Sequence, residues 1–417
     1  MKQFFAKDII FYSLFVVLAF LPEVYSIIPS VSIILLIVLS CVSIKDFFLA
    51  KITKVTLCWL FYIFVTSIGC IYSAEFSYAV GHVVKITLLT FTLSFKPEEK
   101  HIKPLFFFIQ IIVLFSILSI ILEIPFGETI RTIRDTIIVD KSGIDRIERI
   151  SLQYSSMYGI FADTAVAAFF CACGVALFWY LYVQGSTKYA ILWIVLSSFA
   201  LYLTNKRGPL LSILISFMIV LFLYMRLRRR NNLLSYALLF IIFSTAIYVL
   251  QSEQFSQYFD RINSNTYSIQ TRNYLYKELW NRFKSRPLLG YGTKSSRYFF
   301  DGLDAHNIFL GILFENGILG LVSILLVFYS SLKSLLSSLS KAIELNDKQI
   351  MSVCYFCLLC VFYFICYGMT GNPMTTIHSL ALFFFCVSLP NHLLYIDDNK
   401  TQTLPVVSPQ LPVISQS

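Results

Sequence analysis

The sequence predicts an all-α polytopic membrane protein with about twelve transmembrane helices. Its 417 residues are 57% hydrophobic and only 13% charged, whereas soluble globular domains carry roughly 25% charged residues. The chain also contains 40 Phe and 25 Tyr. The few charged residues would not be enough to cover the surface of a soluble protein whose core held all of these aromatic side chains. Apolar runs long enough to cross a hydrocarbon layer recur along the chain. Ordinary cytosolic enzymes, extracellular disulfide modules and disordered proteins are therefore excluded.

The predicted spans follow one another in chain order. They cover residues 9–21, 27–44, 55–72, 79–95, 104–124, 159–184, 189–204, 208–225, 233–250, 306–332, 350–367 and 374–395. The first span follows Lys2 and Lys7 as in a signal peptide, but no small-residue cleavage site comes after it, so an uncleaved anchor is expected. The spans of residues 1–250 and those of residues 306–395 are separated by a loop over 251–305, and 396–417 are predicted to form a disordered cytoplasmic tail.

The basic residues set the predicted orientation. The chain has 33 Lys and Arg and a net charge of +10, and the positive-inside rule places both termini in the cytoplasm. The outside cations then concentrate in segments 125–157, 205–208 and 251–305. In the first segment acidic and basic residues cancel, so a merely polar loop explains it as well as contact with a substrate does. The other two segments indicate an anionic partner.

The cysteines and acidic residues predict neither a metal nor another cofactor. All ten Cys lie in or at the ends of apolar runs. Cys354, Cys357 and Cys360 have the spacing of a cluster-binding motif, but on an uncharged helix we expect them to be small packing residues, because a thiolate cluster in lipid needs compensating cations. A metal-dependent sugar transferase would use an outside Asp-x-Asp pair, which Asp301 and Asp304 only approach.

Arg207 lies in the turn between the seventh and eighth predicted spans, beside Lys206. Pro209 is a helix-start signal, so both cations are predicted at the N-terminal end of the eighth helix. A cation there opposes the helix dipole at a cost of ~0.3–1 kcal/mol, and positive charge concentrated in this way suits a bound anion. Snorkelling of the two side chains into the headgroup layer is the alternative.

A second cation of this kind is predicted in the large loop. Residues 271–284 predict an amphipathic helix that lies on the membrane or on the helix bundle. Its apolar face is formed by Leu275, Leu279 and Phe283. Thr271 is the expected N-cap and Pro287 the stop, so Arg272 is predicted on the first turn. Its guanidinium fork suits a phosphate better than a Lys ammonium does.

His306 is the candidate general base. It opens the tenth predicted span, where the helix dipole favours the neutral imidazole, and a neutral imidazole can accept the proton of a hydroxyl. A hydrogen-bonded interfacial histidine is the alternative. His82 and His378, which also lie near outer span ends, are rivals on topology alone.

Lys85 is a further candidate because it lies inside the fourth predicted span. Burying an ammonium in lipid is costly, so an ionisable residue within a span is a functional candidate by default. A structural ion pair with a partner such as Asp163 is the alternative.

Three stretches resemble the bacterial O-antigen ligase and O-antigen polymerase superfamily. They are LTNKRGPLLSI at residues 203–213, RPLLGYG at 286–292 and DAHNIFLGILFENGILGL at 304–321. Lys206 and Pro209 stand where the superfamily usually has Ser or Thr and Ala, while Arg207 matches it.

The resemblance implies a metal-independent, inverting glycosyl transfer on the periplasmic side of the bacterial inner membrane. His306 would deprotonate the acceptor hydroxyl, Arg207 and Arg272 would hold the pyrophosphate, and Lys85 would be a further pyrophosphate contact. The implied partners are an undecaprenyl-pyrophosphate-linked glycan donor, a lipid A core or lipid-linked glycan acceptor, and membrane lipids, with no nucleic acid.

The leading functional hypothesis is an O-antigen ligase that moves the completed glycan onto the lipid A core. An O-antigen polymerase would use the same donor with a lipid-linked repeat unit as acceptor. A polysaccharide transporter or flippase is the alternative from a different class, and it would be expected to show inverted repeats and binding groups near the midplane of the membrane.

Overall fold

The structure is a computed structural model, and every regular element that it describes is a helix. It describes residues 29–49, 52–94, 102–137, 156–161, 163–227, 267–300 and 305–402, together with Phe11, Leu14, Phe15, Val17 and Leu18.

The helices are numbered here in chain order. They are α1 (Pro29–Leu49), α2 (Lys54–Ile71), α3 (Phe76–Thr92), α4 (Ile102–Ile137), α5 (Thr164–Gln184), α6 (Ala190–Leu203), α7 (Arg207–Leu227), α8 (Tyr267–Ser285), α9 (Ser296–Phe299), α10 (Ile308–Glu344), α11 (Lys348–Tyr367) and α12 (Ile377–Gln402).

The described helices confirm an all-α polytopic membrane protein. Six of them (α2, α4, α5, α7, α10 and α11) are long and apolar enough to cross a membrane, and α3, α6 and the first part of α12 are shorter apolar helices. The second to eighth predicted spans coincide with α1 to α7, and the last three with α10 to α12. Most of the first predicted span, all of the ninth, loop residues 251–266 and 301–304, and tail residues 403–417 lie outside the described residues.

Helices α5 and α11 form the centre of the bundle. Nearly every residue of α5 is buried, as expected of a helix that is apolar all round. It packs against α4, α6, α7 and α11, and α11 also packs against α7, α10 and α12. Cys354, Cys357 and Cys360 lie buried in this core, where small apolar packing residues were predicted.

Helix α10 is broken at Gly317, and the RPLLGYG segment fills the break. Gly317 has φ 64° and ψ −161°, which interrupts the helical hydrogen bonds. The Tyr291 N–H donates to the Phe314 carbonyl at 2.9 Å, the Gly292 N–H to the Glu315 carbonyl at 2.8 Å, and the Ile318 N–H to the Pro287 carbonyl at 2.9 Å. These three hydrogen bonds hold the segment that follows α8 against α10.

Helix α4 extends beyond its predicted end. The span was predicted to end at residue 124, before an outside segment that begins at Pro125, but the helix continues to Ile137. Pro125 kinks α4 instead of ending it, and Phe126 takes a non-helical φ of −126° and ψ of 37°. Just before the kink, the Glu123 carboxylate accepts the N–H of Tyr158 at 2.9 Å and that of Gly159 at 2.8 Å, which joins α4 to the segment before α5. Residues 138–155 of the predicted loop lie outside the described residues.

Candidate active site

The turn that carries Arg207 has the predicted geometry. Helix α6 ends at Leu203, Asn205 takes a left-handed φ of 55°, and α7 begins at Arg207. A short polar turn of this kind suits Asn because its side chain tolerates the left-handed region. Arg207 is exposed at the positive end of α7, and Lys206 beside it is half-buried. The prediction of a cation at this helix end is therefore confirmed.

His306 lies just before a helix rather than inside one. The helix begins two residues after the predicted start of the tenth span, since α10 begins at Ile308 and Asn307 is its N-cap. The Asn307 side-chain oxygen accepts the N–H of Phe309 and that of Leu310, both at 3.0 Å, as Asn does at many helix starts. His306 itself has φ 49° and is half-buried. A non-glycine residue in this region is often part of a functional site.

The loop after α11, residues 368–372, holds the backbone on both sides of His306. The Ile308 N–H donates to the Gly368 carbonyl at 2.8 Å, and the Asn307 side-chain nitrogen donates to the Met369 carbonyl at 3.1 Å. When the Asn372 amide is oriented so that its nitrogen faces an acceptor and its oxygen faces a donor, the oxygen accepts the His306 backbone N–H at 3.2 Å. The backbone position of His306 is thus set by contacts distant in sequence.

The same loop packs against the Arg207 turn. A Cβ atom added to Gly208 would lie 2.7 Å from Thr370 Oγ1 and 3.7 Å from the Tyr367 ring. Only a glycine therefore allows the start of α7 to approach the loop this closely. His306 and Arg207 consequently share one wall of a site, residues 367–372.

Arg272 reaches this wall from α8, although not from the helix start. Thr271 was predicted as the N-cap, but α8 begins at Tyr267, so Arg272 lies in its second turn. Residues 267–270 contain no helix breaker, and so nothing in them stops the helix from starting earlier. The Arg272 side chain is exposed and interacts electrostatically with the hydroxyls of Tyr276 and Tyr367. The predicted amphipathic helix and its end before Pro287 are confirmed.

The apolar face of α8 is bound to the helix bundle. Leu275 and Leu279 are buried and pack in a cluster with Phe300, Ala305 and Phe314. Of the two predicted locations, the bundle surface is therefore the one that the helix occupies. This packing fixes the position of Arg272 relative to α10.

Tyr276 joins α8 to the candidate base. Its hydroxyl donates a hydrogen bond of 3.2 Å to the His306 carbonyl. Burial raises the pKa of Tyr276, an effect that the Arg272 charge partly offsets. The phenol therefore remains protonated, and able to donate, throughout the neutral pH range.

Residues 190–325 match a family model described as O-antigen ligase. This match confirms the resemblance predicted from the three sequence stretches. No curated protein matches the chain significantly.

The matched region supplies only part of the candidate site. Arg207, Arg272 and His306 all lie within the matched residues 190–325. The wall at 367–372 lies beyond them in sequence. The predicted spans leave residues 368–373 as a connection, but the sequence did not indicate that this loop would contact two candidate residues.

Asp163 is an acidic neighbour of the candidate site. Its carboxylate accepts the Ala165 N–H at 2.8 Å as the N-cap of α5, and it interacts electrostatically with Tyr367. The proposed ion pair with Lys85 stays a prediction.

Lys85 and the two rival histidines occupy different surroundings from His306. Lys85 lies on α3 one turn after His82, and both Lys85 and Lys294 interact electrostatically with His82. His82 is 5% exposed and His378 is 6% exposed, with the His378 Nδ1 3.4 Å from the Leu18 carbonyl. Because His306 is the more exposed of the three, it is the most accessible to a substrate.

Proposed function

We propose that this protein is an O-antigen ligase, which transfers a glycan from an undecaprenyl-pyrophosphate-linked donor to the lipid A core. The observation that carries the proposal is the shared wall at residues 367–372, against which both His306 and the Arg207 turn are held. A half-buried imidazole at this wall, together with two exposed guanidinium groups, is the set of side chains that such a transfer requires.

In the proposed reaction, the His306 imidazole accepts the proton of the acceptor hydroxyl. The hydroxyl oxygen attacks the anomeric carbon of the donor sugar from the side opposite the pyrophosphate, which inverts the configuration at that carbon. The bond between this carbon and the pyrophosphate oxygen breaks, and both bonding electrons leave with the pyrophosphate. A positioned general base contributes about 10²- to 10⁴-fold to such a step.

Arg207 and Arg272 act on the leaving group. As the bond to the pyrophosphate breaks, negative charge grows on its oxygens, and two guanidinium groups stabilise that charge more strongly than they stabilise the bound donor. Lys85 is proposed as a further contact to the same group. These side chains would perform the transfer without a metal ion.

The proposal includes the orientation of the protein in the membrane. Both termini are placed in the cytoplasm and the site in the periplasm of a bacterial inner membrane, because the positive-inside rule favours that orientation. A donor with a lipid tail would then reach the site sideways from the bilayer.

The test is glycan transfer by the purified full-length protein in liposomes that contain the donor and a lipid A core acceptor. Production of core-linked glycan supports the ligase. Polymer growth on a lipid-linked repeat unit, with no core-linked product, would make the protein the polymerase instead. Movement of the donor across the bilayer without any transfer product would replace both with a transporter.

A further inference from the structure

The Tyr367 side chain contacts both elements that meet at the shared wall of the site. A Cβ atom added to Gly208, at the start of α7, would lie 3.7 Å from the ring carbon Cε2. A Cβ atom added to Gly371 would lie 2.5 Å from the ring carbon Cζ and 2.9 Å from the hydroxyl oxygen. Gly371 precedes Asn372, whose side chain accepts the His306 backbone N–H. The phenol therefore lies against the start of α7 and against the part of the loop that contacts His306.

Tyr367 also lies within electrostatic range of two charged groups. Arg272 on α8 and Asp163 at the start of α5 both act on it. Together with the start of α7 and the loop after α11, four elements that are distant in sequence approach this one side chain. Tyr367 is therefore central to the candidate site.

The hydroxyl of Tyr367 is available to a ligand. The ring is half-buried, and its hydroxyl makes no hydrogen bond to any of the residues that the structure describes. The ring itself is held in place, because it stacks on Tyr363 with the two ring centres 5.7 Å apart and the planes 13° from parallel. A phenol hydroxyl can donate one hydrogen bond and accept another, and a few polar groups fixed in this way orient a ligand in its site.

The proposed reaction determines which part of the substrate lies near this hydroxyl. In an inverting transfer the acceptor oxygen attacks from the face of the sugar opposite the leaving group. The acceptor oxygen lies at His306 and the leaving pyrophosphate at Arg207 and Arg272, so the first sugar of the donor lies between the base and the arginines. A side chain that contacts both the loop at His306 and the start of α7 is in position to contact that sugar.

We infer that Tyr367 binds the first sugar of the donor, the one joined to the pyrophosphate. Its hydroxyl forms a hydrogen bond with a polar substituent of that sugar, a hydroxyl or an acylamino group. This inference rests on the proposed function and extends it to donor selection. The pyrophosphate is common to all such donors, whereas a site that hydrogen-bonds a substituent of the sugar discriminates against donors that lack it.

The test measures binding of three lipids to the full-length protein in nanodiscs of zwitterionic lipid. The lipids are the undecaprenyl-pyrophosphate-linked glycan purified from the native host, the same lipid trimmed to its first sugar, and undecaprenyl pyrophosphate without a sugar. Tyr367→Phe keeps the ring and removes the hydroxyl. Because one hydrogen bond is lost, we expect the affinity for both sugar-bearing lipids to fall by about 3- to 10-fold and the affinity for the bare lipid to stay unchanged.

Tyr363→Phe is the matched control. Tyr363 lies one turn earlier on α11 and is only 5% exposed, so a substrate does not reach its hydroxyl. This variant should bind all three lipids like the wild type. Tyr367→Phe should also unfold at the wild-type temperature, because its hydroxyl stabilises no contact within the described part of the chain. A lower unfolding temperature would mean that the hydroxyl is bonded inside the protein, and it would overturn the inference.

Three binding results would also overturn the inference. Unchanged affinity of Tyr367→Phe for both sugar-bearing lipids would show that the hydroxyl does not contact a sugar. Equal weakening for all three lipids would assign it to the pyrophosphate. Weakening for the full glycan but not for the trimmed lipid would assign it to a later sugar.

The proposed function can fail separately. Sugar-dependent weakening in Tyr367→Phe, in a protein whose wild type makes no core-linked glycan in liposomes, would support the sugar contact and refute the ligase. Core-linked glycan made by Tyr367→Phe with wild-type rate and wild-type donor affinity would support the ligase and overturn the sugar contact.

Discussion

The Tyr276 hydroxyl donates a hydrogen bond of 3.2 Å to the backbone carbonyl of His306. Tyr276 belongs to the loop helix α8, whereas His306 lies immediately before the N-cap of α10. The bond ties the helix that carries Arg272 to the residue proposed as the base. Displacement of α8 would therefore disturb the donor-binding charge and the base together.

Tyr276→Phe should lower the rate of glycan transfer by about 3- to 10-fold, because one hydrogen bond of roughly 1 kcal/mol is lost while the ring is kept. The rate is measured with purified protein at saturating donor. Tyr274→Phe on the same helix is the control, since Tyr274 is 66% exposed. Equal rates for the wild type and the two variants would show that the bond does not position His306.

The effect of Tyr276→Phe should not change between pH 7 and about pH 9. Burial raises the pKa of Tyr276 above its ordinary value of 10.0. Below the unfolded pKa the Tyr276 phenol is fully protonated, so its hydrogen bond contributes in full. That contribution is lost only as the pH rises through the raised pKa of the folded protein. If the ratio of the wild-type rate to the variant rate fell towards one below pH 9, this assignment would be contradicted.

Arg207→Ala and Arg272→Ala should each weaken donor binding by roughly 10- to 100-fold, because each removes a charge-assisted contact to the pyrophosphate. Arg→Lys at either position should recover only part of the affinity, since the fork geometry is lost. Binding of a donor lipid to the purified protein is the measurement. Lys277→Ala on α8 is the control for the loss of a positive charge. Unchanged donor affinity in both Ala variants would leave the two arginines as headgroup contacts.

Gly317→Ala and Gly290→Ala should destabilise the protein by about 2 kcal/mol or more, because both positions have positive φ and lie against backbone. A Cβ atom on Gly290 would lie 2.5 Å from the Phe314 carbonyl oxygen. The midpoint of thermal unfolding is the measurement. Gly81→Ala is the matched control, since no atom lies within 4 Å of an added Cβ there. Equal midpoints in all three variants would show that the break in α10 tolerates side chains.

Asn307→Ala should cost about 0.5–2 kcal/mol of stability, because the N-cap of α10 is lost. Asn307→Ser should restore most of that stability but not the hydrogen bond to the Met369 carbonyl. If that bond positions His306, the Ser variant will be stable and slow in glycan transfer. A stable Ser variant that transfers glycan at the wild-type rate would assign Asn307 to capping alone.

Much of the helical architecture is predictable because it depends on local composition. Apolar runs produced helices in the expected places, and the apolar side chains of residues 271–284 correctly predicted one buried face for α8. The starts of helices were less predictable. Thr271 is a good N-cap by type, but the chain before it is equally able to be helical, so α8 begins at Tyr267. Pro125 was expected to end a helix and instead kinks it, and Glu123 just before the kink accepts the N–H groups of Tyr158 and Gly159.

The site itself was only partly predictable. Arg207 could be placed at a helix start from Pro209 and the turn before it. The position of His306 depends on the 368–372 loop, more than 60 residues later in the chain, and no local pattern reports such a contact. The role of Asn307 as a cap could have been read from its residue type beside His306.

The central claim is that His306 is the base of a glycosyl transfer, and the most direct test is the transfer rate of His306→Asn. Asn tolerates the left-handed φ of 49° at this position, so the variant should keep the fold and the donor affinity while it loses the imidazole. The account predicts a rate at least about 100-fold below that of the wild type. Asp163→Asn, which keeps the cap of α5 but removes the nearby carboxylate, should transfer at close to the wild-type rate. A folded His306→Asn protein with the wild-type rate, or loss of transfer in Asp163→Asn alone, would contradict the claim.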